Sequence, residues 1–264
     1  MKIGFIGLGN MASAMIGGIL KKGVAGPEDI IGNARSEASR KKAKDAFGIT
    51  IMGDNCEVAA GADILILAVK PQMYPGVIAQ IKDEVRERTV VVSIAPGKTM
   101  AWLKEQFQRD VKLVRCMPNT PALVGEGCTG VCRSANVTEE EMQSVLTILE
   151  SFGKAFAVEE HLMDTVVGVS GSSPAYVFLF IEAMADAAVM DGMPRALAYE
   201  FAAQAVLGSA RMVLETGMHP GALKDMVCSP AGTTIEAVRV LEEKGFRSSV
   251  IEAQKACVDK ARNM

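Results

Sequence analysis

The sequence has few of the residues that build metal sites, and it lacks an excess of positive charge. It contains 2 histidines and 6 cysteines, and no two cysteines form a C-x-x-C pair, so their spacing gives no support for zinc binding. The 28 basic residues are balanced by 31 acidic ones, which leaves a formal charge of −3. Proteins that bind nucleic acids usually carry a basic patch. We therefore expect neither a metal ion nor a nucleic-acid partner.

The sequence also lacks an export signal and a long uninterrupted apolar run. The first apolar stretch, residues 3–20, is cut by glycines and has no cleavage site after it, which argues against a signal peptide. The longest apolar region, residues 175–190, contains Glu182 and Asp186 and falls short of the ~20 apolar residues of a membrane span. With no framework of paired cysteines, the sequence predicts a cytoplasmic protein with free thiols and no membrane partner.

Residues 1–160 alternate short apolar segments with amphipathic ones. Several of the apolar segments are hydrophobic on both faces, as expected for parallel strands covered by helices on both sides of a sheet. Between them the pattern predicts helices at 10–22, at 36–47 with Ser36 as cap, and at 138–152 with a capping box from Thr138 to Glu141. This alternation predicts a doubly wound, Rossmann-like α/β domain over residues 1–160. The predicted strands are 2–6, 29–33, 50–52, 64–69, 89–94, 113–116, 129–133 and 155–158.

Residues 161–264 lose the strand pattern and predict an all-α domain. The first two helices are apolar almost all round, which indicates burial on more than one side. A domain of this size cannot easily cover such helices, and hydrophobic residues make up 49% of the chain. We therefore expect apolar surface to be buried between subunits of a homo-oligomer. The predicted helices are 173–190, 194–215, 220–226, 233–244 and 246–262.

A glycine-rich segment follows the first strand and opens the first helix. It has the Gly-x-Gly-x-x-Ala pattern of dinucleotide binding in the expected structural setting. The first glycine allows the tight turn, the second lets backbone amides approach a pyrophosphate, and the alanine is small enough for helix–strand packing. A purely structural tight turn is the alternative. The predicted cofactor contacts here are Gly7, Leu8, Gly9, Asn10, Met11 and Ala12.

The end of the second strand bears on the choice of nucleotide. NAD-preferring folds place Asp or Glu there to bind the ribose hydroxyls, whereas this strand ends in Asn33, followed by Ala34, Arg35 and Ser36. Arg35 can pair with a 2′-phosphate, and Ser36 can donate a hydrogen bond to it. The sequence predicts NADPH as the cofactor, with NADH as the alternative. Arg35 as a solvated loop residue and Ser36 as a simple helix cap remain the competing interpretation.

Three later strand ends are predicted to meet at the same crevice, because open α/β sheets bind ligands beyond the carboxyl ends of their strands. These segments are 68–72, 93–97 and 116–121, and their prolines and glycine suit loops that hold a flat nicotinamide ring. Each residue taken singly is equally well explained as an ordinary turn residue. The predicted contacts are Ala68, Val69, Lys70, Pro71 and Asn119, with Lys70 near ribose or carboxamide and Asn119 on the carboxamide.

The sequence offers few groups for alcohol oxidation, which usually needs a strong general base. His161 and His219 lie in a connection and a turn, and the segment 170–190 contains no Lys or His. The loop 228–234 instead supplies hydroxyls, backbone amides and a helix start, which suit a small carboxylate; a plain capped helix is the alternative. An iminium is already electrophilic and needs a hydrogen-bonding hydroxyl rather than a strong base. This combination favours imine reduction.

Six segments of the chain resemble the pyrroline-5-carboxylate reductase family, and the resemblance extends over nearly all 264 positions. It implies that NAD(P)H reduces the ring imine of 1-pyrroline-5-carboxylate to L-proline, the last step of proline biosynthesis. It further implies dimers with interlocked C-terminal helices, often assembled into decamers, with the substrate between one subunit's nucleotide domain and its partner's helical domain. The segments are 6–12, 68–71, 117–121, 169–176, 219–225 and 229–234.

The resemblance also implies roles for individual residues. Thr234 matches the threonine that contacts the imine, and the substrate carboxylate would rest on Ser229, Gly232 and Thr233. Ala231 stands where many relatives have glycine. Three further positions match cofactor contacts, namely Asn55 at the adenosine ribose and Ala95 and Pro96 at the nicotinamide.

Two other interpretations remain. A β-hydroxyacid dehydrogenase shares the N-terminal build, but this chain lacks the lysine that such enzymes carry on the first interdomain helix. A nucleotide-sensing scaffold would bind NADPH without any need for a pocket that fits a small carboxylate.

Overall fold

The computed structural model describes residues 1–263, and its contacts divide the chain into two compact units. The first unit comprises residues 1–172 together with 257–263, and the second comprises residues 173–256. This division lies further along the chain than the domain boundary expected after residue 160. The expected domains, 1–160 and 161–264, stay a prediction.

Side-chain contacts explain why the residues after 160 pack with the first unit. Arg115 is 3% exposed, and its guanidinium lies 3.4 Å from a Glu160 carboxylate oxygen and 3.3 Å from one of Asp164. Near the C-terminus, the Cys257 thiol donates to the Ser172 hydroxyl over 3.1 Å. A buried guanidinium needs such partners, so the ion pairs hold the connecting segment against the sheet.

The first unit is built on one eight-stranded sheet, which confirms the doubly wound, Rossmann-like α/β fold. The strand order is β3-β2-β1-β4-β5-β6-β7-β8. Neighbouring strands are parallel except for the antiparallel pair formed by the sixth and seventh, whose connection is too short for a crossover helix. All eight predicted strands are present, with small differences at their ends. In chain order they are Ile3–Ile6 (β1), Ile30–Asn33 (β2), Thr50–Ile51 (β3), Ile64–Leu67 (β4), Val90–Ser93 (β5), Lys112–Met117 (β6), Gly127–Arg133 (β7) and Gly153–Ala157 (β8).

Helices cover both faces of this sheet, and apolar side chains form one core on each face. The predicted caps are confirmed: the Ser36 hydroxyl accepts from the Ser39 amide, and both halves of the Thr138–Glu141 capping box are present. A π-helical turn, Val167–Gly171, ends the helical connection. The helices of this unit are Asn10–Lys21 (α1), Glu37–Phe47 (α2), Asn55–Gly61 (α3), Tyr74–Ile81 (α4), Met100–Phe107 (α5), Glu139–Glu150 (α6) and Met163–Val166 (α7).

The C-terminal part of the chain is helical, as predicted. Its helices are Ser173–Met190 (α8), Arg195–Thr216 (α9), Pro220–Val227 (α10), Thr233–Glu243 (α11) and Phe246–Arg262 (α12). Small residues on α8 and α9, such as Ala185 and Ala198, are buried. Large apolar side chains on the same helices are exposed in the single chain, among them Leu179 at 68% and Leu214 at 70%. These helices therefore expose apolar surface of the kind that is buried in contacts between subunits.

By length and composition alone, one helical stretch in the described chain could cross a membrane. It runs from Glu160 to Met190, and its most apolar 18-residue window has a mean hydropathy of 1.4. The apolar region predicted from the sequence, residues 175–190, is too short for a membrane span by itself, but the residues before it are helical as well. An apolar helix that packs against a second chain meets the same length criterion, so the stretch is weak evidence for a membrane span.

Candidate active site

The turn after β1 requires glycine at its first position. Gly7 has φ +99°, and a Cβ built on it would lie 2.6 Å from the Ala68 carbonyl oxygen. Its amide donates to the Asn33 carbonyl over 2.8 Å. The close approach of β1, β2 and the loop after β4 therefore leaves no room for a side chain here.

The third residue of the motif, Gly9, leaves open space at the start of α1. A Cβ on Gly9 would meet nothing within 4 Å, and no side chain caps the helix. The first amides of the helix therefore have no intrahelical or capping partner, which suits a phosphate group. Leu8 and Ala12 are buried in the core, so they can offer a ligand only backbone groups.

A cavity of about 410 Å³ lies on one side of this turn, at the end of β2. No Asp or Glu is among its lining residues, so this cavity lacks a carboxylate of the kind that NAD-preferring folds use to bind the ribose hydroxyls. Arg35 lines the cavity, and the neighbouring Arg40 guanidinium donates to the Ala34 carbonyl over 2.8 Å. Ser36 is not among the lining residues; its hydroxyl caps α2, and its contact with a 2′-phosphate stays a prediction.

A chain of side-chain amides crosses the same cavity. Asn33 Nδ2 donates to Asn55 Oδ1 over 3.1 Å, and Asn55 Nδ2 donates to Gln80 Oε1 over 3.0 Å. Asn33 Oδ1 is buried and has no hydrogen-bond partner within residues 1–263. A buried acceptor of this kind costs free energy unless a donor such as a ribose hydroxyl reaches it. Sequence reasoning missed Gln80, because its place on α4 carries no local motif.

A second cavity of about 410 Å³ brings the three predicted strand ends together. Gly171, which follows the connecting helix α7, also lines this cavity and was not predicted as a site residue. The sequence feature that includes it is the segment 169–176, one of the six that carry the resemblance. Lys70 is the only charged residue among the lining residues. The predicted residues that line the cavity are Gly9, Asn10, Met11, Ala68, Val69, Lys70, Pro71, Ala95, Pro96 and Asn119.

The loop before α11 has a strained turn. The Gly232 amide donates to the Ser229 carbonyl over 3.0 Å, and Ala231 adopts φ +55°, a left-handed conformation that favours glycine. This conformation would be less strained with the glycine that the resemblance implies for many relatives at that position. A Cβ on Gly232 would lie 2.3 Å from Ser229 Oγ, so the serine hydroxyl occupies the space that a side chain would need.

The start of α11 is not capped by a side chain, unlike the plain capped helix considered as the alternative. The first-turn amides, which include those of Thr233 and Thr234, therefore have no intrahelical partner. His219 lies earlier in the same unit, where its ring Nδ1 accepts from the Gly221 amide over 3.0 Å and caps α10. This contact gives His219 a structural role.

Burial keeps two of the cysteines protonated. It raises the pKa of the Cys116 thiol and raises that of Cys132 to about 11, with Glu160 adding to the second shift and Arg115 opposing it. Such thiols are unreactive at neutral pH. Within the described residues, no group of three or more His, Cys, Asp or Glu side chains is placed to hold a metal ion.

Comparisons with known proteins cover the whole chain. A family model described as pyrroline-5-carboxylate reductase dimerisation matches residues 160–264, and one described as NADP oxidoreductase, coenzyme F420-dependent, matches residues 2–97. A curated pyrroline-5-carboxylate reductase from Escherichia coli K12 is 55% identical over 263 residues, which is 100% of this chain and 98% of the relative.

Solved structures give the same result. A pyrroline carboxylate reductase from Plasmodium falciparum with NADP bound has a TM-score of 0.91 at 33% identity and covers 100% of this chain and 97% of its own. A 3-hydroxyisobutyrate dehydrogenase from Mycobacterium tuberculosis has a TM-score of 0.53 at 14% identity, with 99% and 91% covered. The second likeness is one of fold alone.

Proposed function

The chain belongs to the pyrroline-5-carboxylate reductase family, and from that membership we propose that it reduces 1-pyrroline-5-carboxylate to L-proline with NADPH. The imine carbon gains a hydride and the ring nitrogen retains a proton, while NADPH becomes NADP⁺. The observation that carries the proposal is the pair of cavities on either side of the Gly7–Gly9 turn. One cavity would hold the adenosine half of a dinucleotide, and the other would hold the nicotinamide half.

The residues of the first unit fit this cofactor. The open amides at the start of α1 suit the pyrophosphate, and the unpartnered Asn33 Oδ1 suits a hydroxyl of the adenosine ribose. Arg35 would hold the 2′-phosphate, since no carboxylate in that cavity competes for it. The second cavity, which Lys70 lines, would hold the nicotinamide, and the cofactor would supply the hydride there.

The loop before α11 would bind the substrate. Ser229, Gly232 and Thr233 would hold the carboxylate by amides and hydroxyls, and Thr234 would hold the ring nitrogen by a hydrogen bond. The uncapped helix start and the serine hydroxyl above Gly232 support this assignment. A threonine hydroxyl is too weak an acid to be a strong proton donor, which favours protonation of the imine by solvent before it binds.

Self-association completes the proposal. The match to a dimerisation domain and the exposed apolar side chains of α8 and α9 support a dimer with interlocked helices. Assembly of such dimers into a decamer rests on the family resemblance alone. The substrate would then lie between the loop of one subunit and the nucleotide site of its partner. The six cysteines are free thiols, which is consistent with a cytoplasmic location.

An assay of NADPH absorbance with purified protein tests the proposal. Absorbance should fall only after 1-pyrroline-5-carboxylate is added, and L-proline should appear in equal amount. Reduction of NADP⁺ by 3-hydroxyisobutyrate without imine turnover would instead identify a β-hydroxyacid dehydrogenase. Binding of NADPH without consumption under either condition would identify a nucleotide sensor.

A further inference from the structure

Asn119 lies at the carboxyl end of β6, and its side chain joins two other segments of the first unit. Its Oδ1 accepts from the Cys128 amide over 2.8 Å, and its Nδ2 donates to the Ser170 carbonyl over 2.9 Å. The residue is 7% exposed. Both polar atoms of the side chain are therefore already engaged with backbone groups in β7 and in the π-helical turn.

The π-helical turn Val167–Gly171 is held against the sheet by close packing. The Ser170 hydroxyl, buried in the turn, donates to the Val166 carbonyl over 3.1 Å. A Cβ on Gly130 would lie 2.8 Å from a Val166 methyl group, and one on Gly171 would lie 2.9 Å from the Met117 methyl group. Single π-helical turns occur frequently at functional sites, and these outside contacts hold this one in place.

The turn and the loop that carries Asn119 form adjacent walls of one cavity. Met117, Asn119 and Gly171 line the second cavity together with Lys70 and Pro96, whereas Ser170 does not line it. The hydrogen bond from Asn119 to Ser170 therefore sets the separation of two walls. Hydride transfer needs the reacting carbons held about 3–3.5 Å apart. A small change in the separation of the walls would therefore change the rate of the hydride step.

We propose that Asn119 is a positioning residue, which holds the π-helical turn at the wall of the cavity and thereby orients the nicotinamide. This inference deepens the proposed function and rests on it for the identity of the ring. It differs from the direct carboxamide contact expected from the sequence. Here the Asn119 side-chain amide binds the Ser170 carbonyl and thereby positions Gly171 and its neighbours.

Two substitutions perturb the π-helical turn, one at a residue that contacts the turn and one at a residue within it. Asn119→Ala removes both hydrogen bonds, and Ser170→Ala removes only the bond to Val166 while lying outside the second cavity. Positioning through the turn predicts that both variants impair the hydride step in the same way. A direct contact between Asn119 and the carboxamide predicts that Ser170→Ala leaves this step unchanged.

Asn136, which lies in the loop after β7 and contacts the chain just before β6, provides a matched control. Asn136 Nδ2 donates to the Val111 carbonyl over 3.3 Å, and its Oδ1 accepts from the Ser134 hydroxyl. Asn136→Ala therefore also removes two side-chain amide hydrogen bonds beside β6. It lies away from both cavities and reports the loss of stability alone.

The experiment compares kcat, the primary isotope effect with deuterated NADPH, and binding of NADP⁺ and of adenosine 2′,5′-bisphosphate. We expect Asn119→Ala to lower kcat roughly tenfold and Ser170→Ala about threefold, as expected for a displaced reacting ring. The isotope effect should rise in both, while adenosine 2′,5′-bisphosphate, which lacks the nicotinamide, should bind as to the wild type. Asn136→Ala should match the wild type in all these measurements.

Wild-type kcat and isotope effect in Asn119→Ala, or weakening of adenosine 2′,5′-bisphosphate equal to that of NADP⁺, would overturn the inference. If Asn119→Ala does not fold, Asn119→Asp decides by the same measurements, because it keeps an acceptor for the Cys128 amide and loses the donor to the Ser170 carbonyl. Failure of the proposed function has another signature: the wild type would bind NADP⁺ and leave the imine unreduced. The binding measurements would then still report whether Asn119 and Ser170 shape the second cavity.

Discussion

Alanine substitutions at Gly7 and Gly9 should separate the stability of the fold from the binding of the dinucleotide. The two positions lie in the same turn and receive the same methyl group. At Gly7 that methyl group would lie 2.6 Å from the Ala68 carbonyl oxygen at φ +99°. At Gly9 it would enter open space beside uncapped helix amides.

The structure sets the size of each effect. A non-glycine residue held at such a φ costs of order 1–3 kcal/mol, and the backbone contact at Gly7 adds to this cost. We expect Gly7→Ala to lose about 3 kcal/mol or more, which lowers the Tm by roughly 6–12 °C in a chain of this length. Gly9 has φ −85°, an ordinary value, so Gly9→Ala should lose only about 0.5–1 kcal/mol through poorer capping.

Thermal unfolding and titration with NADP⁺ test both expectations. Gly9→Ala should keep a near-native Tm while its Kd for NADP⁺ rises at least about tenfold, because the methyl group excludes the pyrophosphate from the amides. Normal NADP⁺ affinity in Gly9→Ala would refute the placement of the pyrophosphate. A near-native Tm in Gly7→Ala would refute the steric argument.

Three further substitutions test two predicted contacts and the backbone strain at Ala231. Arg35→Ala should raise the Kd for NADPH about tenfold while barely changing that for NADH; equal losses, measured by fluorescence titration, would show that Arg35 does not contact the 2′-phosphate. Thr234→Ala should lower kcat/KM for the imine by about 1–3 kcal/mol at unchanged cofactor affinity, and wild-type turnover would remove Thr234 from the site. Ala231→Gly should relieve the left-handed strain at φ +55° and raise the Tm by roughly 2–4 °C, since about 1 kcal/mol is recovered; a lower Tm would contradict the strain.

Local signals account for most of what could be predicted. The capping box at Thr138 and the Ser36 cap involve residues three apart, and both are confirmed. Likewise, the positive φ of Gly7 and the open space at Gly9 follow from a short motif between a strand and a helix. Such features depend on neighbours along the chain, so the sequence alone contains the information.

Non-local contacts account for what sequence reasoning missed. The approach of Gln80 to Asn55 and of Ser170 to Asn119 joins residues far apart in the chain. The antiparallel pairing of β6 with β7 is another such case, since strand composition alone does not specify direction. The strained turn at Ala231 became visible only through its backbone angle.

By itself, the sequence determined the α/β class, the glycine turn after β1 and the absence of an acid at the end of β2, because periodicity, capping and turn chemistry are local properties. Only the tertiary structure decided which side chains share a cavity. That outcome depends on strand order and register, which arise from the packing of segments that are distant in the chain.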